Sequence, residues 1–363
     1  MRDIRDHGRV PTDSSPVAPP VFCPLPGALN PAVLDVERQA LAWADEIGLT
    51  ADARSRARLA GTRAAEFFAR CAPHASAERL LPCVLWTYWG FAFDDARCDN
   101  GPLSSDPAGF LVAADRAQRA LVRGSAEPDA DRFETAVADI GRRLRAGADP
   151  DALLTRRFAH ANRAWLGGVA EQITNRAQGY VPDLDSYVAM RLHSAGGGPT
   201  CALLEYAHGE PMSEAEAGAP AVRAATEAAI LAAALDNDRQ SAARETNDGQ
   251  GDQNVYGVLR VRHGLTAAEA VDRATRLRDG ALSVFLRLRD RARPDLGPAG
   301  RAYLDGLAHT IRGNAEWGAA VPRYTTADAT PAPGPRWTDT PTDPGLRPPP
   351  EVPSIVWWWR VLG

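Results

Sequence analysis

The chain has 363 residues, 45% hydrophobic and 24% charged, with a formal net charge of -5. That is ample material for one large core, and it gives no electrostatic reason to expect nucleic acid or an anionic membrane as partner. All 41 basic residues are arginine, which excludes a Schiff-base lysine and a P-loop lysine.

Residues 1–21 are polar and proline-rich, which predicts a disordered segment and no signal peptide. From residue 22 to about 325 the chain reads helical almost throughout. Residues 77–98 are apolar nearly all round and predict a buried helix that Pro82 either starts or kinks. Phe133, Val137, Ile140 and Leu144 keep helical spacing, and Leu153, Phe158 and Trp165 keep it more loosely. The breaks fall at "DNGP" (99–102), "GADPD" (147–151), "SAGGGP" (194–199) and "GAP" (218–220). Residues 220–246 form a long alanine-rich helix, small enough on every side for a central position. Most of the stretch beyond 326, rich in Pro, Thr and Asp, reads as disordered, yet it ends in "SIVWWWRVLG". Three consecutive tryptophans fit an arm docked on the protein's own surface, or a lid or partner contact. The expectation is one all-α domain over 22–325 enclosing a cavity between its helices. Cys23, Cys71, Cys83, Cys98 and Cys201 lack C-x-x-C spacing, which predicts free thiols in a reducing compartment. With no apolar run long enough for a bilayer, a soluble cytoplasmic protein is expected.

The stretch "YWGFAFDDARCDN" (88–100) runs from aromatic residues straight into Asp94, Asp95 and Asp99. On an α-helix these acids share an arc of roughly 140° and repel one another in a partly desolvated setting. A solvated helix end is one explanation. A bound cation is the other, and hard oxygen ligands with room for water suit magnesium. A second group, "NDRQSAARE", puts Asn237, Ser241 and Glu245 at i, i+4 and i+8, one column on a helix face. Its carboxamide, hydroxyl and carboxylate oxygens suit another magnesium ion, or an ordinary polar stripe.

At these residues the chain resembles the bacterial class I terpene synthases. "DDARCD" is similar to their aspartate-rich motif, and "NDRQSAARE" matches their NDxxSxxxE triad at every fixed position. Arg323–Tyr324 matches their C-terminal Arg-Tyr pair, and Arg191 in "YVAMRLHSAGGGP" matches an arginine some forty-odd residues before the triad. The opening "FCPLPGALNP" and "HGL" at 263–265 are family-like too.

The resemblance implies an all-α bundle around a deep apolar cavity, with three Mg2+ ions holding a prenyl diphosphate at its mouth. By that resemblance Asp94 bridges two ions, while Asp95 and Asp99 support them or pair with arginine on closure. Asn237, Ser241 and Glu245 hold the third ion. Arg191 is the diphosphate sensor, and Arg244, Arg323 and Tyr324 contact the same group. Ala195 matches the position whose carbonyl faces the reacting carbons, and Ser194 takes a linker position where Asp or Thr is commoner. Arg97, inside the acidic motif, is placed to neutralise Asp94 in part, whereas Arg239 points away from the metal column. The expected reaction ionises the diphosphate and cyclises the cation to a hydrocarbon or alcohol. Metals and arginines stabilise the leaving charge, and a dry cavity protects the cation. Phe91 and Trp317 are the aromatic faces expected beside it. Small residues at Gly90 and Ala195 favour C20 geranylgeranyl diphosphate over C15 farnesyl diphosphate. A chain-elongating prenyltransferase would need a second aspartate-rich motif where "NDRQSAARE" stands. A non-catalytic diphosphate-binding protein would not need every ligand. The reading leaves a homodimer open.

Overall fold

The computed structural model describes residues 20–147, 153–247, 251, 253–324 and 335–363. The "GADPD" break and residues 1–19 lie mostly or wholly outside them. A two-residue strand, β1 (Val21–Phe22), leads into a layered bundle. In chain order come α1 (Val33–Glu46), α2 (Ala53–Ala60), α3 (Ala64–Cys71), α4 (Ala77–Phe93), α5 (Pro107–Arg123), α6 (Arg132–Gly147) and α7 (Leu153–Ala177). Then follow α8 (Leu184–Ser194), α9 (Gly197–His208), α10 (Glu214–Gly218), α11 (Pro220–Asn247), α12 (Val255–His263), α13 (Ala267–Ala292) and α14 (Pro298–Ala320).

Two helices carry the architecture. In α4 the apolar run buries Leu80, Leu85, Tyr88, Trp89 and Phe93 against α1, α3, α6 and α9. Ser76 caps it by accepting the Arg79 N–H, so Pro82 lies inside the helix and does not start it. The alanines of α11 let α13 and α14 approach closely along its length, with Ala224, Ala225, Ala228 and Ala232 fully buried. Of the α7 set, Phe158 and Trp165 are buried, while Leu153 is half-buried and Leu154 takes the inward position.

Buried charge ties the segments around Phe22 and Thr342 to α11 and α13. Arg278 on α13 makes a bidentate pair with Asp236 on α11, at 3.0 and 2.8 Å, and also donates to the Phe22 carbonyl. Its neighbour Asp279 accepts the backbone N–H of Thr342 at 2.9 Å.

The expectation of disorder over most of the chain beyond 326 is corrected for residues 335–363. Strand β2 (Trp337–Thr338) pairs in parallel with β1, and a last helix, α15 (Trp357–Leu362), docks on α11 and α13. Trp358 is fully buried, and the indole N–H groups of Trp357 and Trp358 both donate to Glu227 of α11, at 3.2 and 2.9 Å. Composition predicts disorder because proline and threonine bury little; here distant partners supply the burial. Among the described residues no helix is long and apolar enough to cross a membrane.

Candidate active site

A cavity opens between α3, α4, α7, α8, α9 and α11. Its aromatic wall includes Phe67, Trp86, Phe91 and Trp165. At its mouth stand Asp94 and Asp99 on one side, Asn237, Arg244 and Glu245 on another, with Arg191, Arg323 and Tyr324 between them.

The acidic side is not α-helical. At Asp94 the chain passes from α4 into a π-helical turn over Asp94–Cys98, closed by the Asp99 N–H on the Asp94 carbonyl at 2.9 Å. An i→i+5 turn stacks residues five apart, whereas an α-helix would splay Asp94 and Asp99 by about 140°. The turn brings one carboxylate oxygen each from Asp94, Asp95 and Asp99 within 4.8 Å of one another. Burial and the neighbouring Asp99 push the Asp94 carboxyl up to about 7, against the pull of Arg323.

Asp95 has a different setting. Arg58 of α2 grips it with two bonds, at 2.8 and 2.9 Å, and Arg323 approaches both its oxygens, at 2.8 and 2.9 Å. Burial pushes its carboxyl up, but these two guanidinium groups outweigh that and hold it below its usual value. Asp95 faces a cleft beside α2, and the cavity wall does not include it. Arg58 is invisible as a site residue in the sequence, where it is one exposed arginine among many. Arg97 corrects another expectation: it pairs with Asp131 and lies over the Phe133 ring, 5.3 Å from its centre, away from Asp94.

On α11, Asn237 accepts from Arg191 at 3.0 Å and donates to the Tyr324 hydroxyl at 2.7 Å. Ser241 is buried beneath it and donates to the Asn237 carbonyl at 2.9 Å. Arg191 is held by Asp238 at 2.7 Å, which also accepts the Tyr187 hydroxyl at 2.6 Å. Despite burial, Asp238 keeps the Arg191 guanidinium firmly charged. Arg244 reaches Asp99 at 3.4 Å and sits over the Tyr324 ring.

Between α8 and α9 the chain breaks at Ala195 and Gly196, the latter at φ 73°. The residue four beyond Ala195 is Pro199, which has no N–H, so the Ala195 carbonyl lacks the usual helical donor. Trp165 donates to the Ser194 carbonyl at 3.2 Å, and Gly168 lets α7 come this close, since a Cβ there would meet the Ser194 nitrogen at 2.7 Å. Ser194 and Ala195 both line the cavity, as do Thr87, Thr200 and Gln172, which carry no motif that would single them out in the sequence. Trp317 does not line it. Its N–H is drawn to the Thr62 carbonyl at 2.8 Å, which sets the ring behind Phe91 in a stack with centres 5.6 Å apart. Phe91 itself is on the wall, with the Arg323 guanidinium over its ring at 4.9 Å.

The donor set fits divalent cations with an oxyanion. Carboxylates converge, and the Nε–H groups of Arg191 and Arg244 are buried at the mouth with no partner. A chamber with one aromatic wall, closed by such a mouth, fits a metal-binding enzyme for a substrate with a hydrocarbon body and an anionic head.

Comparison with known proteins gives the class a name. Residues 85–283 match the model of terpene synthase family 2, C-terminal metal binding. Spiroviolene synthase of Streptomyces violens is 47% identical over 94% of this chain and 96% of its own length. Phomopsene synthase of Allokutzneria albata is 32% identical, with 94% and 96% covered. The crystal structure of SVS_A2, a protein from ancestral sequence reconstruction, superposes with a TM-score of 0.86 at 50% identity, covering 96% of this chain and all of that one. The fold extends to α-eudesmol synthase, at 23% identity and a TM-score of 0.72. The chain belongs to this family of divalent-metal-binding enzymes and is a terpene synthase.

Proposed function

We propose that this enzyme is a Mg2+-dependent cyclase of geranylgeranyl diphosphate. The observation that carries the diphosphate chemistry is the single mouth shared by Asp94, Asp99, Asn237, Glu245 and the unpartnered Nε–H groups of Arg191 and Arg244. Asp94, Asp99, Asn237, Ser241 and Glu245 would hold three ions, which when bound supply Lewis-acid stabilisation of the departing diphosphate. Arg191, Arg244, Arg323 and Tyr324 bind and orient that group through charge-assisted hydrogen bonds. Asp95, with both oxygens engaged by Arg58 and Arg323, positions Arg323.

Below the mouth, Phe91, Trp86 and Trp165 keep water out and present π-faces to the cation. The Ala195 carbonyl, without a helical donor, is the backbone dipole assigned to the reacting carbons. Gly90 supports the longer substrate: a Cβ built there meets no atom within 4 Å, so a side chain's worth of cavity is left open. Relatives named for cyclising (2E,6E)-farnesyl diphosphate are 29–31% identical, well below the 47% relative.

The test of the ligand assignment is Asn237→Ala. Turnover is expected to vanish while the circular dichroism spectrum stays that of the parent. Full activity in this variant would refute the assignment.

A further inference from the structure

Behind the ligand column, the first turn of α12 touches α11 twice. The Asn254 amide nitrogen donates to one oxygen of Glu245 at 2.8 Å, and the Val255 N–H donates to Asp238 at 3.3 Å. Asn254 is buried, and its other end is also in use: its side-chain oxygen caps α12 by accepting the Gly257 N–H at 3.0 Å. One carboxamide therefore holds two elements at once. Asp, Ser and Thr cap a helix as well as Asn does, but none of them offers a donor at the far end of the same planar group.

Glu245 needs such a donor. It lies close to the end of α11 on a side chain with three torsions, and Asn254 is bonded to one of its oxygens. An unanchored glutamate there would be free to turn from the cavity before a cation arrives. We propose that Asn254 is a positioning residue for Glu245: it fixes one carboxylate oxygen from behind so that the other faces the cavity mouth. This rests on the reading of Glu245 as a metal ligand. Through the same side chain, the seating of α12 against α11 sets the geometry of the ligand.

The test compares Asn254→Ser with Glu245→Ala and with Val255→Ala, which loosens the same helical turn at a fully buried position without touching Glu245. Mn2+ binding in the presence of inorganic diphosphate is followed by the electron paramagnetic resonance signal of the free ion. Thermal unfolding is recorded in EDTA. Loss of a partner behind a metal ligand typically costs about 10- to 100-fold in metal affinity. Asn254→Ser is expected to show a loss of that size for the weakest Mn2+ site and to unfold close to the parent temperature, because serine keeps the cap. Asn254→Asp, which caps equally well but faces Glu245 with an acceptor, is expected to lose at least as much. Parent-like Mn2+ binding in Asn254→Ser, with Glu245→Ala deficient, overturns the proposal and leaves the ligand assignment intact. Equal loss of affinity in Val255→Ala also overturns it, since the effect is then only the docking of α12. Parent-like binding in Glu245→Ala overturns the ligand assignment and the proposal together.

Discussion

Replacing Asp94 by Asn is expected to stabilise the metal-free protein while removing its activity. The carboxyl is pushed up to about 7 from its ordinary 3.8 by burial and by Asp99. A shift of about three units corresponds to about 4 kcal/mol, at 1.36 kcal/mol per unit. That is a ceiling, because the Asp94 side chain is 32% exposed and water screens its repulsion; about 1–2 kcal/mol is the working value. The sign follows from the acid being harder to ionise in the folded state. Above pH 7 Asp94 is charged whether folded or not, and the fold carries the full cost. As pH falls from 7 towards 4 the folded protein takes up the proton first, and the cost disappears. A neutral carboxamide keeps the shape and never ionises. At pH 8 in EDTA the Asp94→Asn variant should therefore unfold about 1–3 °C above the parent, and at pH 5 the gap should narrow. Scanning calorimetry at the two pH values measures this. An Asp94→Asn variant that is no more stable than the parent at pH 8, or a gap that does not shrink at pH 5, refutes the reasoning.

Gly90→Leu is expected to fill the open space on the cavity wall. The ratio of kcat/KM for geranylgeranyl over farnesyl diphosphate should fall by at least about tenfold, the discrimination a few methylenes provide; gas chromatography of products from each substrate reads it. Trp358→Ala removes a fully buried side chain and one of two bonds to Glu227. It should cost about 3–5 kcal/mol, seen in urea unfolding. An unchanged midpoint would mean that the C-terminal segment is not part of the folded core in solution.

The fold class was legible because α6 repeats apolar residues every three to four positions, α4 is apolar nearly all round and α11 is alanine-rich throughout, and each of these reads as helix whatever it later touches. The proposed ligand residues stood out only in combination. A solvated helix end accounts for Asp94, Asp95 and Asp99 taken alone, and a polar stripe for Asn237, Ser241 and Glu245; it was the two together, with Arg191 and Arg323–Tyr324 in order along the chain, that carried the resemblance. Three features were not legible. The π-turn at Asp94–Cys98 depends on one backbone hydrogen bond shifting from i+4 to i+5, and no side chain announces it. Arg58 and Asn254 act through partners 37 and 9 residues away, and in a list of residues they read as a surface charge and a cap. The C-terminal segment looks unstructured by composition, and its order comes from Glu227, some 130 residues earlier. Trp317 shows the limit of placement by proximity: its neighbour along the chain, the Arg323–Tyr324 pair, is at the mouth, yet its own N–H is claimed by Thr62.

A competition experiment bears on the whole scheme at once. Purified protein with Mg2+ is given equal geranyl, farnesyl and geranylgeranyl diphosphates, and products are read by gas chromatography–mass spectrometry with diphosphate release measured alongside. The expected main product is a cyclic C20 hydrocarbon or alcohol, formed with one diphosphate each and lost when EDTA replaces Mg2+. A cyclic C15 product in excess would contradict the assignment of chain length. Turnover that persists in EDTA, or longer prenyl diphosphates when isopentenyl diphosphate is added, would contradict the mechanism itself.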